Sequence, residues 1–206
     1  MLKKIVVVGP ESTGKSTLCH KLAQHYNSHW VKEYAREYLL RNGTDYTFDN
    51  LLDVAKGQLL LEEEGVKLAT GKSEMVIGKN QPESGGTAHS AFTGIVSKNE
   101  GQYSPLFIDT DMYVLKVWCE FVFDKCHPWI LNQIVDRKYD LYLLCNIDAP
   151  WVKDELREYP DPVIREKLYH HYKDIMINQS EPWVDISGTY GERLQKAITA
   201  VDKLLK

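Results

Sequence analysis

The sequence predicts a three-layer α/β fold: a parallel five-stranded sheet flanked by helices, with one irregular insertion. Short apolar runs alternate along the chain with segments of helical periodicity, which is the pattern of a parallel sheet covered on both faces. The best runs, Ile5-Val6-Val7-Val8 and Leu141-Tyr142-Leu143-Leu144-Cys145, are apolar throughout rather than every second residue, as buried strands are. The 206 residues make one domain of ordinary size and are too few for two full ones.

Taken in order, residues 2–8 form the first strand, ended by Gly9. Leu18, Leu22 and Tyr26 recur at helical spacing over 15–26. A second strand covers 29–34, and helical character resumes over 35–41. Residues 49–70 make a long amphipathic helix. Its apolar stripe is Leu51, Leu52, Ala55, Leu59 and Val66, and Glu62-Glu63-Glu64 read as its solvated face.

Residues 71–104 break the pattern. They are rich in Gly, Ser, Asn and Thr, include Gly85-Gly86, and show little periodicity. A structureless stretch of that length inside a compact domain reads as a mobile surface insertion, with a functional lid as the sharper alternative. Beyond it, strands are expected at 106–108, 141–145 and 183–186. Helices are expected at 111–124, 128–136, 151–157, 162–177 and 190–205, and a lid segment around 148–170.

Several function classes are excluded early. Lys and Arg number 25 against 29 Asp and Glu, a net charge of -4, so a basic footprint for nucleic acid is missing. No apolar run approaches the roughly 20 residues of a transmembrane helix. The N-terminal apolar run is too short for a signal peptide, so a cytoplasmic protein is expected. Cys19, Cys119, Cys126 and Cys145 form no C-x-x-C pair and read as reduced, mostly buried thiols.

The chemistry begins at Gly9-Pro10-Glu11-Ser12-Thr13-Gly14-Lys15-Ser16, a full match to G-x-x-x-x-G-K-[ST] between a buried strand and a helix. Such a phosphate loop turns backbone N–H groups inward around phosphate oxygens, and the following helix points its positive end at the same anion. Lys15 reaches the β- and γ-phosphates, and the Ser16 hydroxyl ligates Mg²⁺. The ATP-binding set is therefore Gly9, Glu11, Ser12, Thr13, Gly14, Lys15, Ser16 and Thr17. Ser187 and Gly188, after the last strand, are added as the turn beneath the adenine. A second G-K-S, at Gly71-Lys72-Ser73, is rejected because Val66 stands where its first glycine belongs. A GTPase switch is disfavoured: no glycine follows Asp109-Thr110-Asp111-Met112 at the required place, and Asn146-Ile147-Asp148 has the wrong spacing for a guanine reader.

Asp109 ends the strand Leu106-Phe107-Ile108, on the edge where open α/β sheets bind ligands. It can hold Mg²⁺, and Asp111 can face the substrate space or cap the next helix. Glu33, at the end of the second strand, can take a proton from an attacking hydroxyl. Arg36, one turn later, can hold phosphate or pair with Glu33. Arg157 and Arg165 flank the helix-breaking stretch Glu158-Tyr159-Pro160-Asp161-Pro162 and are candidates to stabilise the transferred charge.

In this order the segments Gly9–Ser16, Glu33-Tyr34-Ala35-Arg36-Glu37, Phe107-Ile108-Asp109-Thr110-Asp111, Tyr142-Leu143-Leu144, Pro150-Trp151 and Asp154-x-Leu156-Arg157 resemble the ribosylnicotinamide kinase domain of NadR-type proteins. The resemblance covers most of the chain outside 71–104. It implies ATP- and Mg²⁺-dependent phosphorylation of the 5′-hydroxyl of nicotinamide riboside. It also implies that Glu33, Arg36, Asp109 and Asp111 line the riboside and metal site; Tyr34 and Trp118 join them as substrate-binding candidates. Lys32 stands where the family carries an aromatic beside the pyridinium ring; Trp118 or Tyr113 can stack there instead, core packing being the other reading for each. Proteins of this type also carry a nucleotidyltransferase domain before the kinase, and adenylyl transfer is expected to be absent here. Two other readings fit the same motifs: a kinase for a different nucleoside, and an ATP-binding regulatory module. Either Glu33 or Asp111 can be the base.

Overall fold

The computed structural model describes residues 1–71, 103–154, 156 and 158–206. Among them the elements run β1 (Leu2–Val8), α1 (Lys15–Tyr26), β2 (Trp30–Val31), α2 (Tyr34–Asn42), α3 (Phe48–Thr70), β3 (Ser104–Asp109), α4 (Met112–Phe123), α5 (Pro128–Asp136), β4 (Leu141–Cys145), α6 (Pro162–Asn178), β5 (Trp183–Ile186) and α7 (Tyr190–Leu204). The five strands pair in the order β2-β3-β1-β4-β5. Every pairing is parallel, with Val6 opposite Ile108 on one side and Tyr142 on the other. No helix among the described residues is long and apolar enough to cross a membrane.

Strand alternation sorts the core into two layers. Ile5, Val7, Phe107, Leu143 and Cys145 pack with Leu18, Leu22, Ala197 and Val201 of α1 and α7. Val6, Val8, Ile108, Tyr142 and Leu144 pack with Val114, Val117, Leu168 and Met176 of α4 and α6. A third cluster joins α2, α3, α4 and α5 through Ala35, Leu51, Val54, Leu115 and Ile130. The predicted helices at 15–26 and 128–136 and the strands at 141–145 and 183–186 are found with those boundaries. The insertion expected at 71–104 falls on 72–102, outside the described residues. Of its ends, Gly71 caps α3 and Ser104 opens β3.

Three expectations are corrected. The second strand is only Trp30–Val31, because the Gln58 side chain takes over where a neighbouring strand would pair. Gln58 Nε2 donates to the Lys32 carbonyl at 3.3 Å, and its Oε1 accepts the Tyr34 N–H at 2.7 Å. The helix expected at 151–157 is missing over Trp151–Asp154. The backbone there is engaged elsewhere: the Val152 N–H donates to Ser12 Oγ at 2.9 Å, and Asp154 pairs with Arg36 at 3.0 Å. Glu62 is not on a solvated face. It is 3% exposed, accepts from the Tyr139 hydroxyl at 2.8 Å, and pairs with Lys4 at 3.1 Å. A buried carboxylate needs such partners.

Gly57 interrupts α3 at a cost of about 1 kcal/mol in helix propensity. A Cβ there would lie 2.1 Å from the Tyr34 ring. The close approach of α3 to the start of α2 fixes Tyr34, and with it the neighbouring Glu33.

Candidate active site

The phosphate loop joins β1 to α1 at the carboxyl edge of the sheet. Gly9 has φ +135°, and a Cβ on it would stand 2.7 Å from the Cys145 carbonyl oxygen, so the loop can lie against β4 only without a side chain. Thr13 Oγ1 and Lys15 Nζ both donate to the Pro10 carbonyl, at 2.7 and 3.0 Å, and draw the loop into a ring. Gly14 caps α1 in the left-handed region with no side-chain cap, so the first N–H groups of the helix remain open to an anion.

That loop forms one wall of a cavity of about 240 Å³. Gly9, Glu11, Ser12, Thr13, Gly14, Lys15, Ser16 and Thr17 all line it. Glu33 and Arg36 line it from the start of α2, and Trp118 and Phe121 from α4. Tyr159 lies on the segment before α6, and Tyr172 on α6. Thus Glu33, two aromatic rings of α4 and the phosphate loop face one space. Lys32 is exposed, with its Nζ 6.0 Å from the Trp30 ring, and does not line the cavity.

The two aspartates diverge. Asp109 is fully buried, and neither carboxylate oxygen has a hydrogen-bond partner within 3.5 Å. Burial pushes its pKa up to about 7, reinforced by the charge of Glu33 and opposed by Lys15 and the nearby Ser16 hydroxyl. Two orphaned carboxylate oxygens beside Ser16 are a donor set suited to Mg²⁺, a hard cation that takes few protein ligands and keeps phosphate and water. No cluster of three or more His, Cys, Asp or Glu suited to a metal exists among the described residues.

Asp111, expected in the substrate space, is turned away from the cavity. Its Oδ1 caps α4, accepting from the N–H of Tyr113 at 3.0 Å and of Val114 at 3.4 Å. Its Oδ2 accepts from the Tyr142 hydroxyl at 2.9 Å. Thr110 between the two aspartates has φ +76°, and this left-handed residue breaks the alternation that would aim both the same way. Burial raises the Asp111 pKa to about 7, against its three hydrogen bonds.

A carboxyl raised in the folded state is protonated there while the unfolded chain is ionised. Its stabilising contribution is present below the ordinary value of 3.8 and is lost as pH rises to about 7. In metal-free buffer, urea unfolding between pH 4 and pH 7 is therefore expected to show less loss of stability on raising the pH for Asp111→Asn than for the parent chain. Equal slopes would refute this.

The remaining sequence candidates scatter. Tyr34 packs into the α2–α3–α4 cluster, with its ring against Gly57, rather than onto the cavity. Tyr113 packs edge-on to Tyr142. Arg165 is buried, its Nη2 donating to the Ala149 carbonyl at 3.3 Å while Nε has no partner, and it does not reach the cavity wall. Arg157 lies outside the described residues. Ser187 accepts from Lys196 Nζ at 2.9 Å, and the Gly188 N–H donates to Asp148 Oδ2 at 2.5 Å. The segment before α6 is held to the phosphate loop by its backbone: the N–H groups of Glu158 and Tyr159 donate to Glu11 at 3.1 and 2.6 Å. The Trp118 indole N–H donates to the Tyr46 hydroxyl at 2.8 Å, and that hydroxyl donates to Glu158 at 3.0 Å.

Two residues escaped the sequence reading. Gln58 also donates to the Asp109 carbonyl at 3.3 Å, and Arg193 supports the phosphate loop from α7. Each is a polar side chain on a buried helical stripe, Gln58 between Leu51 and Glu62 and Arg193 one turn before Ala197 and Val201. A polar residue at a core position is the signal that could have found both.

Comparison with known proteins agrees with this architecture. A family model described as an AAA domain matches residues 4–78 and 96–193. The trifunctional NAD biosynthesis/regulator protein NadR of Salmonella typhimurium is 23% identical over 205 residues, covering 99% of this chain and 43% of the relative. The Escherichia coli protein of the same name gives the same figures. The chain thus spans less than half the length of the curated relatives it matches. Among solved structures, a NadR protein in complex with NR is similar at a TM-score of 0.71 and 22% identity, over 98% of this chain and 49% of that one. Another NadR structure, with NAD and AMP-PNP, gives 0.66 and 21%, with the same coverage. A thymidylate kinase from Ehrlichia chaffeensis gives 0.60 and 13%, over 100% and 99%. These likenesses show a P-loop α/β fold.

Proposed function

The chain belongs to the AAA domain family, and we propose that within it this protein is an ATP-dependent kinase that phosphorylates the 5′-hydroxyl of nicotinamide riboside. The observation that carries this reading is the single cavity shared by the phosphate loop, Glu33 and the aromatic rings of α4. A carboxylate in the same cavity as a phosphate loop suits transfer to a hydroxyl. The NadR relatives are named for NAD biosynthesis, and one solved NadR structure holds NR.

In this mechanism the phosphate loop N–H groups and Lys15 hold the triphosphate. Ser16 and Asp109 would hold Mg²⁺, which would supply charge neutralisation to the triphosphate. Glu33 accepts the proton of the attacking 5′-hydroxyl. As the hydroxyl oxygen bonds to the γ-phosphorus, the bond to the bridging oxygen breaks and ADP leaves with the electron pair. Arg36 orients the acceptor or its product phosphate, a role supported by its position on the cavity wall and its pairing with Asp154. Trp118 and Phe121 line the cavity and supply aromatic surface for a cationic pyridinium ring.

An ATP-consumption screen against a nucleoside panel tests the reading. Turnover stimulated by nicotinamide riboside alone is the expected result. Stimulation by a different nucleoside would move the acceptor assignment. ATP binding with no acceptor-stimulated turnover would favour an ATP-binding regulatory module.

A further inference from the structure

Arg193 is 4% exposed at the first turn of α7, and its guanidinium makes contact with three different loops at the ligand edge of the sheet. Nη1 donates to the Thr13 carbonyl, in the phosphate loop after β1, at 2.8 Å. Nη2 donates to the Asn146 carbonyl, just after β4, at 2.8 Å. Nε donates to the Gly188 carbonyl, in the turn after β5, at 2.9 Å. Nη2 also pairs with Asp148 Oδ1. The same Asp148 accepts the Gly188 N–H through its other oxygen, so Gly188 is gripped at both its N–H and its carbonyl.

We infer that Arg193 is a positioning residue for the nucleotide: it fixes the spacing between the phosphate loop and the Ser187-Gly188 turn, so that a ligand spanning both is held as one rigid piece. The inference rests on the reading that ATP occupies the phosphate loop with its base toward that turn. Thr13 and Gly188 belong to separate loops, and a single planar fork bonds the carbonyls of both. Lysine cannot substitute: its ammonium is a point donor, while the guanidinium meets carbonyls in several directions at once.

This role differs from general support of the fold in what it predicts. A ligand bound to the phosphate loop alone does not sense the spacing between the loops, whereas one bridging them does. Binding of ATP and of inorganic tripolyphosphate is therefore to be measured on the full chain and on Arg193→Lys, with thermal midpoints recorded alongside. ATP is expected to weaken about tenfold, the worth of one charged hydrogen bond, and tripolyphosphate by less than about threefold. If Arg193→Lys does not fold, Asp148→Asn serves. It removes the charge partner and keeps an oxygen for the Gly188 N–H, and ATP is again expected to weaken more than tripolyphosphate.

Equal weakening of both ligands, a larger loss for tripolyphosphate, or no loss for either overturns the inference. A parent chain that binds neither ligand instead overturns the nucleotide reading on which it stands.

Discussion

Lys15→Ala is expected to lower the rate of phosphoryl transfer by about 10²–10³-fold at saturating ATP, the range seen when one preorganised transition-state donor is removed. Lys15 is buried beside the phosphate loop, and its ammonium donates a hydrogen bond to the Pro10 carbonyl at 3.0 Å. That bond to a neutral carbonyl can be exchanged for one to the γ-phosphate, where negative charge develops. The replacement also removes one of the two bonds that close the loop on Pro10, so ATP affinity is expected to fall as well. Rapid-quench measurement of product formation separates the two effects: a single-turnover rate at saturating ATP equal to that of the parent chain would refute the assigned role.

Glu33→Gln carries the second large effect. Removal of a positioned general base costs about 10²–10⁴-fold. Glutamine keeps the size of the side chain and an oxygen for the Thr110 hydroxyl, which donates to Glu33 Oε1 at 3.4 Å. It cannot accept a proton. The expected signature is therefore a fall in kcat with little change in the KM for either substrate. A rise in the KM for the nucleoside at unchanged kcat would reassign Glu33 to acceptor binding. The structure favours Glu33 over Asp111 as the base, because Glu33 lines the cavity while both oxygens of Asp111 are taken by the α4 cap and Tyr142.

The contrast between Glu33 and Asp111 shows what was legible in the sequence. The sheet, its parallel sense and the phosphate loop could be read because each rests on a local pattern: apolar runs, helical spacing and a complete motif between a strand and a helix. The placement of Glu33 could be read because the chain leaves the second strand at the ligand edge, although that strand ends at Val31 and Glu33 stands at the N-cap of α2. The fate of Asp111 could not, because it depends on one left-handed residue, Thr110, whose conformation no spacing announces. The helix expected after Pro150 failed for a related reason: Ser12 and Arg36, more than a hundred residues earlier, engage that stretch. Glu62 was assigned to a wet surface because its neighbours are acidic. A helix turns about 100° per residue, and Glu62 shares its side with Leu51, Ala55 and Gln58, not with Glu63 or Glu64.

The bond from Arg193 to Thr13 spans 180 residues of chain. The phosphate loop lies near the start of the sequence and its support near the end. During synthesis, a nascent chain carries the complete G-x-x-x-x-G-K-S motif long before the residue that braces it leaves the ribosome. Closing a contact of such sequence separation costs loop entropy that local contacts do not. Until α7 docks against α1, the motif is present but its brace is not.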